Sequence, residues 1–170
     1  EAKVVFIGPC TAKKNEAVKK SVKGAVDYVL TFEELLALFS AFEIEVENCE
    51  KEEVDEASIY GRGFGAHGGL TAAIENYVRS QGLEVNFNPV KVSGGVEIKK
   101  AMTMAKIGRL QGNFIEGMMC EGGCINGAGT ISTPFKSKTT FNKINAQASR
   151  KSVIDNEKIK EYEDIDLERR

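Results

Sequence analysis

A layered α/β domain, built on a small and mostly parallel sheet flanked by helices, is the fold class this sequence predicts. Three observations lead there. Short β-rich apolar runs alternate with helical patterns along the chain, the order expected of strands joined by helices. The runs are closed by glycine and proline, which stop strands and open turns. At 170 residues the chain is the size of one domain that buries a core without staples. No internal repeat or low-complexity tract breaks the alternation.

The first run, Val4, Val5, Phe6 and Ile7, is continuous and apolar and ends at Gly8 and Pro9, the pattern of a buried strand entering a turn. Cys10 therefore lies at the carboxyl end of a strand, the edge where ligands collect in open α/β sheets. Residues 11–20 are polar and suit a short helix or an irregular segment, which puts Lys13 near the thiol and Glu16 one turn further on. Read alone, both are solvated surface charges. Residues 26–30 make a second strand. Thr31 then reads as an N-cap with Glu34 three residues later, a capping box ahead of a helix over about 32–42. That helix carries Leu35, Leu36, Leu38 and Phe39 on its expected inner side. From 44 to 56 glutamate dominates, and Cys49 stands there with no second ligand type beside it, which reads as a structural or incidental thiol.

Residues 58–69 are glycine-rich and open into a helical pattern over 70–79. A loop of this kind before a helix can bind phosphate on free N–H groups, but no Gly-Lys-Ser or Gly-Lys-Thr follows, and no strand leads into a dinucleotide fingerprint. The better reading is a loop whose backbone approaches a bulky cofactor, with Phe64 as an apolar wall. His67, the sole histidine, is either a ligand or proton carrier or neither, the latter being the usual fate of a lone histidine. Residues 85–92 read as a strand interrupted by Pro89. Ser93, Gly94 and Gly95 then lead into a helix over about 96–108, and 113–116 forms a short strand. Beyond Thr133 and Pro134 the chain turns polar, with a helical tail from about Asn142 and a highly charged end over 155–170 that suits a solvated helix or a frayed terminus. The division expected is a lobe over 1–135, with 136–170 as the tail of the same domain.

Charge announces no partner. Lys plus Arg number 23 against 25 Asp plus Glu, so neither nucleic acid nor an anionic membrane surface is called for. No apolar run approaches the ~20 residues that span a bilayer, and the start lacks the pattern of a signal peptide. A cytoplasmic, reducing setting is the expectation. The chain begins without Met and enters a strand directly, which suggests a piece of a longer protein.

The chemistry concentrates in residues 116–129, where Cys120 and Cys124 sit four apart in a run with five glycines. Two soft thiolates on a backbone able to pass close to what they bind suit a metal or an iron-sulfur cluster. The bland alternative is a pair of inert buried thiols. A Cys120–Cys124 disulfide would close a small strained ring in a chain that otherwise reads as intracellular.

Residues 9–16 fit the pattern PCxxKxxE, and 116–129 fit ExMxCxxGCxxGxG, about a hundred residues later. Together they resemble the second and third signature motifs of the iron-only, or FeFe, hydrogenases. The segments 26–31 and 64–69, each followed by a helix, are similar to that family too, so the resemblance covers roughly 3–135 and implies one lobe of the hydrogenase catalytic domain. It implies that Cys10, Cys120 and Cys124 are three of the four thiolates of the 4Fe-4S part of an H-cluster, with Cys124 also bridging to a diiron subcluster. It further implies that Lys13 reaches the anionic ligands of the diiron site, that Met118 and Phe64 wall the pocket, and that Glu16 and Glu116 anchor its surroundings. The implied activity is reversible reduction of protons to dihydrogen, fed by ferredoxin or a similar electron carrier.

Departures from the family pattern carry their own expectations. Its first motif, with the fourth cluster cysteine and a proton-shuttling thiol, is absent from these residues, so its place would be upstream of Glu1, in a missing N-terminal lobe of the same parent chain. The CxxCxxC runs of ferredoxin-like segments are absent as well, and Cys49 cannot replace them. Position 8 is Gly where the better-known enzymes have Met, and Ala128 stands in the middle of what is otherwise a glycine run, which implies a divergent group. The chain alone is expected to be inactive and without its cluster. Two other functions compete: a hydrogenase-like 4Fe-4S sensory or cluster-assembly protein without diiron chemistry, and a zinc-binding module in which His67 completes the cysteine set.

Overall fold

The computed structural model describes residues 2–162, 164 and 165. Strand β1 (Val5–Ile7) pairs in parallel with β2 (Tyr28–Leu30), joined through helix α1 (Ala12–Ala17). Helix α2 (Phe32–Ala41) follows β2 directly. After helices α3 (Ile59–Gly63) and α4 (Gly69–Ser80), strand β3 (Pro89–Ser93) pairs in parallel with β4 (Phe114–Met118) across helix α5 (Gly95–Lys106). Helix α6 (Pro134–Ala146) packs on the short 3₁₀ turn Cys124–Asn126 and on α3. The expected α/β architecture is present, with the small parallel sheet divided into two strand pairs among the described residues.

The local signals that held are those with a short-range cause. The Thr31 hydroxyl accepts from the Glu34 N–H at 3.2 Å, and the Glu34 carboxylate accepts from the Thr31 N–H at 2.8 Å, so the capping box forms as read. Strand β3 starts at Pro89 and does not reach back to residue 85. Proline has no N–H to give a ladder, so it serves as the first strand residue. Ahead of it the Asn113 side chain takes over the pairing, its Oδ1 accepting from the Asn88 N–H at 2.8 Å.

Elsewhere the expectations need correcting. The glycine-rich stretch is not wholly a loop, because the Ser58 hydroxyl accepts from the Gly61 N–H at 3.0 Å and caps the one-turn helix α3. The tail helix begins at Pro134 and not near Asn142. Thr133 caps it and proline occupies its first turn, a placement that suits a residue without an N–H. Past Gln147 the charged end continues as 3₁₀ turns at Val153–Asp155 and Glu157–Tyr162; the last part of the predicted solvated helix falls at 163 and 166–170, outside the described residues. The first of those turns is pinned to α4: Asn76 Oδ1 accepts from the Ser152 hydroxyl and the Val153 N–H, both at 2.9 Å.

Two apolar elements are less buried than their composition suggests. Strand β1 exposes Val5, Phe6 and Ile7 at 45%, 36% and 44%, and α2 exposes Leu36 and Leu38 while Leu35 and Phe39 are half-buried. Among the described residues the buried apolar side chains are small, namely Ala73, Ala101 and Ala148. The accessible surface is 13125 Å², whereas a self-contained monomer of 18.6 kDa exposes roughly 8,200 Å². Parallel strands are ordinarily covered on both faces, so β1 is shaped for burial against something further. No helix among the described residues is long and apolar enough to cross a membrane.

Candidate metal centre

Cys10 follows the end of β1 and Cys120 follows the end of β4, two strands in separate pairs, and the cysteine loop reaches back to the residue before Cys10. The loop between Cys120 and Gly129 is then strapped on two sides by backbone. On one side the His67 N–H donates to the Gly122 carbonyl at 3.1 Å and the Ile125 N–H to the Gly65 carbonyl at 3.0 Å. On the other the Gly129 N–H donates to the Pro9 carbonyl at 3.1 Å, beside Cys10. Two further contacts shape the turn: the Ser93 hydroxyl accepts from the Gly122 N–H at 3.3 Å, and Asn126 Nδ2 donates to the Glu121 carbonyl at 3.0 Å.

This packing explains why glycine is needed here. Gly123 has φ of 103°, and a Cβ on it would stand 2.5 Å from the His67 nitrogen; on Gly127 a Cβ would stand 2.2 Å from the Pro9 oxygen. Both residues are buried against backbone that cannot retreat. Ala128, between Gly127 and Gly129, is exposed, so its methyl group meets solvent and the departure from a glycine run costs nothing in packing.

All four cysteines are free, with Cys10 and Cys120 half-buried and Cys49 and Cys124 exposed. Although Cys124 is exposed as a residue, partial withdrawal of its thiol from water pushes its pKa up. The charges of Cys120 and Cys10 push the same way, and the Lys13 ammonium opposes them. The Lys13 pKa is raised, first by its hydrogen bond to the Glu16 carboxylate; burial works against this, while the charges of Glu16, Cys10 and Cys124 add to it. Cys10 and Cys124 therefore lie in electrostatic range of the Lys13 ammonium, and Cys120 in range of Cys124, with Glu16 hydrogen-bonded to that ammonium.

Glu116 is 3% exposed, in the middle of β4, and does not reach toward the thiols. Its Oε1 accepts from the Gly68 N–H and its Oε2 from the Thr71 N–H, both at 2.8 Å, so it caps the start of α4. Burial raises the carboxyl pKa, but donation from Thr71 and Gly68 and the nearby His67 outweigh it and leave the carboxyl below its ordinary range. Through this cap Glu116 fixes the 65–69 backbone that straps the cysteine loop. Met118 ends β4 half-buried, two residues before Cys120. Phe64, exposed, caps the end of α3 just before Gly65.

His67 contributes its backbone to the strap, while its side chain lines a cavity of about 320 Å³ with Tyr60, Asn142 and Asn145 and no cysteine. Among the described residues no three His, Cys, Asp or Glu side chains converge on a point that would hold a single metal ion. This lends nothing to the zinc reading, whereas a cubane spreads its thiolates over separate iron corners. Cys49 donates weakly to the Glu45 carbonyl at 3.6 Å, within the acidic segment. Sequence reasoning passed over Ser93 and Asn126. The only signal was their place, one at a strand end and the other inside the cysteine loop.

A family model described as the C-terminal domain of the iron only hydrogenase large subunit matches residues 1–128. Iron hydrogenase 1 of Clostridium pasteurianum is 29% identical over 187 aligned positions, covering 90% of this chain and 32% of that protein. Among solved structures, an FeFe-hydrogenase described for stepwise H-cluster assembly superposes with a TM-score of 0.68 at 20% identity, over 97% of this chain and 58% of its own. A variant FeFe-hydrogenase from Chlamydomonas reinhardtii gives a TM-score of 0.67 at 20% identity, over 97% of this chain and 59% of its own. The fold is thus that of these structures, and the chain spans about a third of the curated relative it matches.

Proposed function

This chain belongs to the iron-only hydrogenase family, matching the C-terminal domain of the large subunit, and from that premise we propose that it forms one lobe of a hydrogenase catalytic domain. The observation that carries the reading is the strapped loop, which sets Cys120 and Cys124 against Pro9 and Cys10 with Lys13 in electrostatic range of the thiols. The donor set fits an iron-sulfur cluster: soft thiolates and a backbone bare of Cβ atoms where the loop is tightest. When bound, the H-cluster would supply the reversible reduction of protons to dihydrogen.

The chain's own residues do the rest. Cys10, Cys120 and Cys124 would hold the 4Fe-4S part of the H-cluster, with Cys124 also the thiolate that would link it to the diiron part. Lys13, hydrogen-bonded to Glu16 and with its pKa raised further, would present a compact ammonium donor to anionic ligands at that site. Met118 and Phe64 supply apolar wall, and Glu116 anchors the strap from β4. The fourth thiolate and the proton-shuttling thiol come from an N-terminal lobe of the parent, which also covers the exposed β1 surface. Electrons arrive from ferredoxin or a similar carrier, and the setting is cytoplasmic. Alone, the chain is inactive.

One observation favours a second reading, a 4Fe-4S sensory or assembly relative without diiron chemistry. Gly8 stands where the better-known enzymes carry Met, so this chain offers no side chain there to wall a diiron site. The parent's upstream sequence separates the two, since a sensor or assembly relative lacks the proton-shuttling cysteine.

The test is anaerobic reconstitution of this chain with iron and sulfide, read as iron per chain and by EPR. A cubane signal present in wild type and in Cys49→Ala, but lost in Cys10→Ala, Cys120→Ala and Cys124→Ala, is the expected result. Stoichiometric zinc with no cluster would overturn it.

A further inference from the structure

Three backbone hydrogen bonds close a junction at the edge where the thiols emerge. The Gly8 N–H donates to the Leu30 carbonyl at 3.0 Å, the Gly129 N–H to the Pro9 carbonyl at 3.1 Å, and the Phe32 N–H to the Gly129 carbonyl at 3.2 Å. The end of β1, the start of α2 and the end of the cysteine loop therefore meet at one point. There is no slack in it: a Cβ on Gly129 would stand 2.7 Å from the Thr31 side chain, which is itself 5% exposed.

A side-chain buttress spans this junction from outside. Lys14, on the first turn of helix past Cys10, donates to both Glu34 oxygens at 2.8 Å and to the Val29 carbonyl at 3.2 Å. Glu34 in turn accepts from the Thr31 N–H at 2.8 Å, completing the cap of α2. Donation from the Lys14 ammonium, and then from the Thr31 N–H and hydroxyl, holds the Glu34 carboxyl below its ordinary range, so it stays a carboxylate. Nothing about an ordinary helix cap requires a lysine from another helix. Here Lys14 and Glu34 tie the helix that follows Cys10 to the helix whose first residue grips Gly129.

Resting on the cluster-binding reading above, we propose that Glu34 and Lys14 are positioning residues that set the placement of Cys10 relative to Cys124. They touch neither thiol. They act through Pro9 and Thr31 on one side and through Gly129 and the loop behind it on the other, where the Gly127 N–H donates to the Cys124 carbonyl at 2.9 Å. Loosening the buttress leaves every thiolate present but lets the two halves of the ligand set drift apart.

The test compares wild type, Lys14→Gln, Glu34→Gln and the double variant, all with Cys49→Ser. The metal-free reading is the rate at which a short bifunctional thiol reagent links Cys10 to Cys124, mapped by peptide mass. Each single variant is expected to slow this link roughly 2- to 30-fold, the range over which networked contacts transmit a perturbation. The double variant should add nothing further, because either change opens the same tie. In reconstituted protein the g-values of the cubane signal should shift, and a chelator should strip iron about tenfold faster. Linking rates and spectra identical to wild type would overturn the proposal, as would a lowered melting temperature with both unchanged, which is what a merely structural cap would give. Lys14→Gln removes only an exposed tie and keeps the Thr31 cap, so it decides the matter if Glu34→Gln folds poorly. Should wild type take up no cluster, the cluster-binding reading fails, while the linking rates still judge the buttress.

Discussion

Replacing Glu116 by glutamine tests the strap at its root. The side chain is 3% exposed and holds two backbone N–H groups, of Gly68 and Thr71, at 2.8 Å each. Glutamine keeps one acceptor oxygen but turns the other into a donor that faces a donor. One charge-assisted bond is lost, worth about 1.5–3 kcal/mol, together with about 0.3–1 kcal/mol from the negative charge at the helix start. Glu116→Gln should therefore destabilise the chain by about 2–4 kcal/mol, against a typical total of about 5–15 kcal/mol. The pH dependence carries the second half of the argument. The folded carboxyl titrates below its ordinary 4.5, so its stabilisation is complete above that value and is lost as pH falls through the depressed folded pKa. Urea unfolding of both proteins between pH 3 and 7 reads this directly: the wild type should lead at neutral pH and the gap should close in acid. A difference below about 0.5 kcal/mol at pH 7, or a gap that ignores pH, would refute the capping role, since surface-like substitutions fall in that range.

Three further outcomes follow from the packing and the backbone. Gly127→Ala places a methyl 2.2 Å from the Pro9 oxygen and should cost about 1–3 kcal/mol or more by thermal unfolding, whereas Ala128→Gly one residue away should change stability only within the backbone cost of about 0.5–1 kcal/mol. Asn76→Ala removes the acceptor of the Ser152 hydroxyl and the Val153 N–H; a loss of about 1–3 kcal/mol and faster proteolytic cleavage after residue 147 are expected. Glu43 adopts φ of 55°, where a side chain costs roughly 1–2 kcal/mol, so Glu43→Gly should raise the unfolding midpoint despite the added chain entropy.

The sequence by itself determined whatever depends on neighbours a few residues apart. The cap at Thr31 and Glu34 and the strand stop at Gly8 and Pro9 each have their physical cause within one turn of chain, and each appears as read. The family pattern in 9–16 and 116–129 was likewise legible, because a motif fixes residue types at set spacing, and the family match over residues 1–128 agrees with it. The helix start at Pro134 was missed, because the polar composition pointed to about Asn142, although Thr133 followed by proline is a local start signal.

Tertiary structure decided the roles that residues take across distance. Glu116 looks like one more polar position in a short strand until the fold brings the start of α4, 45–48 residues earlier, onto its carboxylate. Gly127 and Ala128 are indistinguishable as small residues in a loop; only the arrival of Pro9 makes a methyl group impossible at one and harmless at the other. The apolar run of β1 reads as buried, yet the chain exposes it, because hydrophobicity states that a strand wants covering and not which segment supplies the cover. Lys14 and Glu34 show the same divide: each has an ordinary local reading, and their meeting across 20 residues ties the two sides of the cysteine set together. Local pattern encodes the free energy of a turn or a strand, while close approach between distant segments is a property of the packed whole, and that packing placed the thiols.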